Sequence, residues 1–178
     1  ITSQTTDLLC FGSENGQIIV SAIGGNSPYQ YSINSQPFGP IGTFDSLNAG
    51  SYSIRVSDSR NCEQAFQLSL NQPAPLQLQV IANNSPCYNE AQGSLQLIPS
   101  GGNLNYEFEL SSSGGFNQSY QTGLINNLRA DSYEIVLTDL NGCELIDSVV
   151  IVQPMRNVYQ ILVDSVSCYN EEDGTISI

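Results

Sequence analysis

The sequence predicts an all-β chain built as a linear array of immunoglobulin-like β-sandwiches, and three observations predict it. The chain repeats itself: setting Cys10 on Cys87 aligns "CFGSENGQIIVSAIGGNSPYQYSI" with "CYNEAQGSLQLIPSGGNLNYEFEL" without a gap. Apolar residues inside each copy alternate with polar ones, the period of a half-buried strand. No stretch carries an apolar stripe at helical spacing over three turns, and Gly, Pro, Asn and Ser punctuate the segments.

The elements follow in chain order. Ile18 and Val20 in the first copy, Leu95 and Leu97 in the second, and Ile176 and Ile178 in a third occupy matching alternate positions. After them, Gly24–Gly25 and Gly101–Gly102 mark tight bends at strand ends. Tyr29, Tyr31 and Ile33 then correspond to Tyr106, Phe108 and Leu110, whose alternation places them in a core rather than on a sugar-stacking platform. The second copy next carries "SSSGGFNQ", a Gly/Ser-rich stretch that reads as a longer surface loop. Farther on, "LNAGSYSIRVSDSRNC" matches "LRADSYEIVLTDLNGC", in which Tyr52 and Tyr133 open strands in the manner of a tyrosine corner. Pro73-Ala74-Pro75 and Pro154 occupy equivalent junctions and make short, stiff joints. The expected domains are 1–73, 74–154 and, as the opening strands of a third copy, 155–178, where Tyr159–Val163 and Thr175–Ile178 read as strands. Two strands are marginal alone, so either the natural chain continues past Ile178 or these segments dock on copy two, and continuation is expected.

Composition narrows the chemistry. Seventeen acidic side chains stand against four basic ones, a formal net charge of -13 across 178 residues. Nucleic-acid binding needs clustered Lys and Arg, and an anionic bilayer surface repels such a chain. No apolar run approaches the roughly 20 residues needed to span a bilayer. With no histidine, a Ser-His-Asp or Cys-His mechanism has no base in this chain, and no two carboxylates are paired by any visible spacing. The reading is non-enzymatic.

Each copy has one cysteine before its first Gly-led strand (Cys10, Cys87, Cys168) and one after its Asp-containing turn (Cys62, Cys143). Bridges Cys10 to Cys62 and Cys87 to Cys143 are expected, each closing a loop worth roughly 4 kcal/mol on chain entropy. Reduced core cysteines and a metal site are the competing readings; the absence of a CxxC pair weighs against the metal, and positions beside turns weigh against a buried thiol. Disulfides in turn imply an oxidising compartment, hence export. Asp58 and Asp139 have two readings. Together with Ser13–Asn15, Asn89, Glu90 and Glu171–Asp173 they are weak calcium candidates; alternatively, they accept backbone N–H bonds within their own turns.

The order C-x-G-x-x-x-G, an alternating strand, "GGNSPYQYSI", then "LNAGSYSIRVSDSRNC" resembles the SprB repeat of very large surface adhesins in gliding Bacteroidota. Copy two departs with "NLNYEF" in place of the Pro-Tyr step and Asp131 in place of the glycine before the strand. The resemblance implies a structural and adhesive segment of a long filament on the bacterial surface, exported by the type IX secretion system and moved during gliding. Its implied partners are neighbouring repeats, the outer-membrane secretion and gliding machinery, and a surface polysaccharide or substratum. It also implies O-glycosylation at Asp-Ser before an apolar residue, making Ser46, Ser148 and Ser165 candidates. The alternative is a carbohydrate-binding or calcium-stabilised extender module of an exported multidomain protein.

Overall fold

A computed structural model describes every residue except Val166 and Ile178, so the strand end expected at Ile178 and the last residue of the third Asp-Ser motif lie outside the described residues. Every regular element among the described residues is a strand. The first copy contributes β1 (Thr2–Thr6), β2 (Gly16–Ser21), β3 (Gln30–Ile33), β4 (Thr43–Leu47), β5 (Gly50–Ser57) and β6 (Glu63–Leu70). They form two antiparallel sheets, ordered β1-β2-β4 and β3-β5-β6.

The second copy repeats the plan with β7 (Gln77–Asn83), β8 (Gly93–Ser100), β9 (Glu107–Ser112), β10 (Asn117–Tyr120), β11 (Leu124–Leu128), β12 (Asp131–Thr138) and β13 (Glu144–Ile151). Its sheets are ordered β7-β8-β11 and β10-β9-β12-β13. An immunoglobulin domain of constant type has sheets ABED and CFG. Both copies reproduce A-B-E and C-F-G without a D strand, so the chain is a tandem of immunoglobulin-like sandwiches.

The alternation read from the sequence sets which side chains go inside. Ile18 and Val20 on β2 and Ile54 and Val56 on β5 face one another across the first core, closed by Leu8, Ile33 and Leu70. Leu95 and Leu97 on β8 face Tyr133, Ile135 and Leu137 on β12 in the second, with Phe108, Leu110, Ile125, Leu128 and Ile151 filling the space. Burying each such aliphatic or aromatic side chain contributes about 1.5–3 kcal/mol, which makes these two clusters the main source of stability in their sandwiches.

Two expectations change. "SSSGGFNQ" is not a loop alone: the chain turns at Gly115, where φ is +90°, and returns as β10 along β9. Phe116 anchors that hairpin edge-on against Tyr133, with ring centroids 5.8 Å apart. The first copy, four residues shorter here, makes only a single bridge between Tyr31 and Gly39. In the third copy, β14 (Leu162–Asp164) and β15 (Thr175–Ser177) pair as a hairpin, with Tyr159 ahead of the first strand rather than in it. Leu162, Val163 and Ile176 remain exposed, because among the described residues no second sheet covers them and they do not bury against copy two.

Candidate functional site

Strand direction gives each sandwich two poles. In copy one, Thr2 pairs with Ser21 at the end of β2, so the chain enters beside the β2–β3 loop. The turn between β5 and β6 lies at that same pole. Asp58 ties the two loops together: its Oδ1 accepts the amides of Arg60 (2.8 Å) and Cys62 (3.0 Å), and its Oδ2 accepts the amide (3.1 Å) and side-chain Nδ2 (3.4 Å) of Asn26. Asp139 repeats the arrangement, taking the amides of Asn141 (2.9 Å) and Cys143 (2.9 Å) on Oδ1 and both nitrogens of Asn103 (2.8 and 3.4 Å) on Oδ2. Left-handed residues at equivalent positions, Asn61 (φ +62°) and Gly142 (φ +78°), let each turn close.

These bonds favour the charged carboxylate. The Cys62 amide, with those of Arg60 and Asn26 behind it, draws Asp58 down to about 2 against some opposition from burial. Burial acts most strongly on Asp139 and pushes upward, but the amides of Asn103, Cys143 and Asn141 together outweigh it and hold the group low. Both carboxylates therefore serve as turn staples, the second of the two readings. Several of the residues expected beside them as calcium ligands are engaged in their own loops: Ser13 donates to Cys10 O and Asn15 Oδ1, Asn89 accepts from Arg129, and Asp173 accepts the Ser167 amide. Among the described residues no three His, Cys, Asp or Glu side chains gather as a metal site.

The opposite pole carries the β1–β2 loop and the exit of β6. Leu8 donates to Asn71 O (3.0 Å), Asn71 donates its amide to Asp7 (2.9 Å), and Gly12 donates to Gln72 Oε1 (2.8 Å). Cys10 is thereby presented beside the linker Pro73-Ala74-Pro75, facing the entry pole of copy two. There it bonds to Cys143, with 5.7 Å between Cα atoms. The Leu9 carbonyl accepts the side-chain amides of Asn103 and Asn141, each at 3.3 Å, and Ala74 O accepts the Gly102 amide at 2.8 Å. Gly101 is needed for this approach: its φ is +76°, and a Cβ there would lie 1.9 Å from Pro75 O. The joint is thus a disulfide, three hydrogen bonds and a proline linker, with Phe11, Leu76 and Leu145 lining a groove alongside.

This corrects the expected pairing. Cys10 joins Cys143, neither Cys10–Cys62 nor Cys87–Cys143 forms, and Cys62, Cys87 and Cys168 are exposed thiols. The reason is distance along the sandwich. Cys62 and the Gln72 that holds the Cys10 loop are separated by the eight residues of β6. Eight strand residues span roughly 26 Å. A disulfide needs Cα atoms within about 7 Å. Asn103, Asn141 and Gln72 were missed by sequence reasoning, although Asn103 and Gln72 recur as Asn26 and Gln153 in the repeated "GGN" and "QP".

The aromatic candidates are scaffold parts. Tyr29 OH and Tyr106 OH each donate to the carbonyl of the bend glycine, Gly24 and Gly101, at 2.6 Å. Tyr52 OH donates to Asn48 O (2.7 Å) and Tyr133 OH to Arg129 O (3.0 Å), the tyrosine-corner bond in both copies. Phe108 lies in the core. Ser46 on β4, Ser148 on β13 and Ser165 after β14 are all exposed.

Residues 2–38, which hold the Cys10 loop, β2 and β3, match the family model for the SprB repeat. No curated protein matches the chain. Among solved structures, the chain is similar to the N-terminal eight Ig domains of Down Syndrome Cell Adhesion Molecule (DSCAM) isoform 1.30.30, at 12% identity and a TM-score of 0.45. That similarity covers 87% of this chain and 24% of the DSCAM chain, so the chain spans about a quarter of its length.

Proposed function

We propose that the chain is a non-catalytic link segment of a long adhesin-type filament on a bacterial cell surface, in which SprB-like repeats are joined in series. The observation that carries this reading is the joint: two sandwiches with separate cores are tied end to end by Cys10–Cys143, by bonds onto Leu9 O and by a proline linker. A bond placed between domains does little for either core but resists their separation, which is what a series of domains under tension requires. The surplus of acid, the exposed Asn, Gln and Ser, and a disulfide all suit an oxidising exterior.

In this reading the domains are 1–73, 74–154 and the start of a third at 155, and their first partners are neighbouring repeats. The filament is exported through outer-membrane machinery and moved over the surface in gliding, contacting polysaccharide or substratum elsewhere along its length. Ser46, Ser148 and Ser165 are its exposed attachment points for sugar. Antibody against the folded chain tests localisation: labelling of intact cells of the source bacterium supports the reading, and labelling only after permeabilisation overturns it. Intact mass on host-derived protein tests the sugars, an unmodified mass removing all three serines.

A further inference from the structure

Each of the two complete copies carries both halves of the joint, and one pair, Cys10 with Cys143, is closed. Copy one carries at its entry pole the same carboxylate-stapled turn that copy two uses: Asp58 holds the Cys62 amide at 3.0 Å as Asp139 holds that of Cys143 at 2.9 Å. The turns close with the same backbone bond, Asp58 to Cys62 O at 3.1 Å and Asp139 to Cys143 O at 3.0 Å. Copy two carries at its exit pole the same loop that copy one uses. Gln153 Oε1 accepts the Asn89 amide (2.6 Å) as Gln72 accepts Gly12, and Ser85 donates to Val152 O (3.0 Å) as Leu8 donates to Asn71 O. The cysteines so presented, Cys62 and Cys87, are exposed thiols.

We propose that Cys62 and Cys87 are open halves of the joint seen at Cys10–Cys143, each taking the complementary cysteine of another repeat of this type seated head to tail. Disulfides then run between sandwiches and never within one. The inference rests on the serial reading above and adds its rule of connection. Recognition is asymmetric. A turn cysteine on an aspartate staple meets a loop cysteine whose preceding carbonyl accepts side-chain N–H groups from the turn and the neighbouring β2–β3-type loop. Arg60 stands where Asn141 does and brings a guanidinium donor to that carbonyl; Asn26 stands where Asn103 does. Two turn cysteines or two loop cysteines present no such match.

Closing each bond removes two protons and two electrons from a thiol pair. A small-molecule disulfide such as oxidised glutathione accepts them and leaves as two thiols. Because the chain carries both kinds of half, a second copy of itself serves as the probe. The full chain at high concentration is incubated with oxidised glutathione and its bonds are mapped on unreduced peptides. The expected new bonds join Cys62 of one copy to a loop cysteine of another; Cys62→Ser abolishes crosslinking, and Cys168→Ser leaves the Cys62–Cys87 bond. Cys62–Cys62 bonds, loop-to-loop bonds that survive Cys62→Ser, or glutathione caps with no crosslink overturn the proposal. The same map separates the two failures. If Cys10–Cys143 is present and Cys62 joins neither Cys87 nor Cys168, only the connection rule falls; if Cys10–Cys143 is itself absent, the serial joint falls with it.

Discussion

Replacing Asp139 by asparagine changes one oxygen for an NH2 group, and the joint turns on that atom. Asp139 is 5% exposed, and its two oxygens receive four N–H donors, three of them from backbone amides. Asparagine keeps one acceptor for the Asn141 and Cys143 amides. At the other position it sets new N–H groups against the Asn103 amide and side chain, leaving donors buried and unpaired. Hydrogen bonds to charged groups contribute about 1.5–3 kcal/mol, and a buried donor left unsatisfied costs about 1–3 kcal/mol, so Asp139→Asn is expected to cost on the order of 2–4 kcal/mol. For a domain of this size that lowers the Tm of copy two by roughly 10–20 °C. Differential scanning calorimetry is the assay, with Asp58→Asn as the internal comparison. Asp58 makes the same bonds from a half-exposed position, where water replaces the lost acceptor, so its fall is smaller. Equal shifts for the two variants, or none for Asp139→Asn, would refute the claim that burial of this staple sets its worth.

Further outcomes follow from other contacts. Copy two buries ten apolar side chains in its core against seven in copy one, so calorimetry should resolve two transitions, with copy one melting first. Tyr133→Phe removes the donor to Arg129 O and should cost about 0.5–1.5 kcal/mol, read from urea denaturation followed by circular dichroism. Gly101→Ala should splay the joint, since alanine pays about 1–2 kcal/mol for the left-handed conformation and its methyl meets Pro75 O; a small-angle scattering profile unchanged from the parent would contradict this. Asp58, Asp139 and Asp7 all have lowered folded-state pKa values, Asp58 falling from 3.8 to about 2 through the Cys62 amide foremost. Their contribution is therefore fully present above the unfolded value near 3.8 and is lost as pH falls toward 2, so Tm should drop across that interval and Asp58→Asn should flatten part of the drop.

How far the sequence reached depends on the range of the interaction. Alternation at Ile18 and Val20, or at Tyr133, Ile135 and Leu137, is a local property of a strand with one dry face, and the structure buries those positions. The tyrosine corners were legible for the same reason, since donor and acceptor lie four residues apart. The β9–β10 hairpin was not, because "NQSY" has no apolar alternation and its anchor, Phe116, packs on a ring 17 positions further along. The disulfide failed at longer range still. Periodicity invites each copy to be read as self-contained, whereas the strand order puts Cys10 and Cys62 at opposite poles and places Cys10 against the next copy. That order follows once an A-B-E and C-F-G sandwich is assigned, so the signal lay in the topology rather than in the spacing of the cysteines.

The most direct test of the joint is a peptide map of the natively purified chain, alkylated without reduction. A Cys10 peptide linked to a Cys143 peptide, with Cys62, Cys87 and Cys168 alkylated in the monomer, is the predicted result. Cys10 linked to Cys62, together with Cys87 linked to Cys143, would show two self-stapled sandwiches and contradict the covalent joint between them.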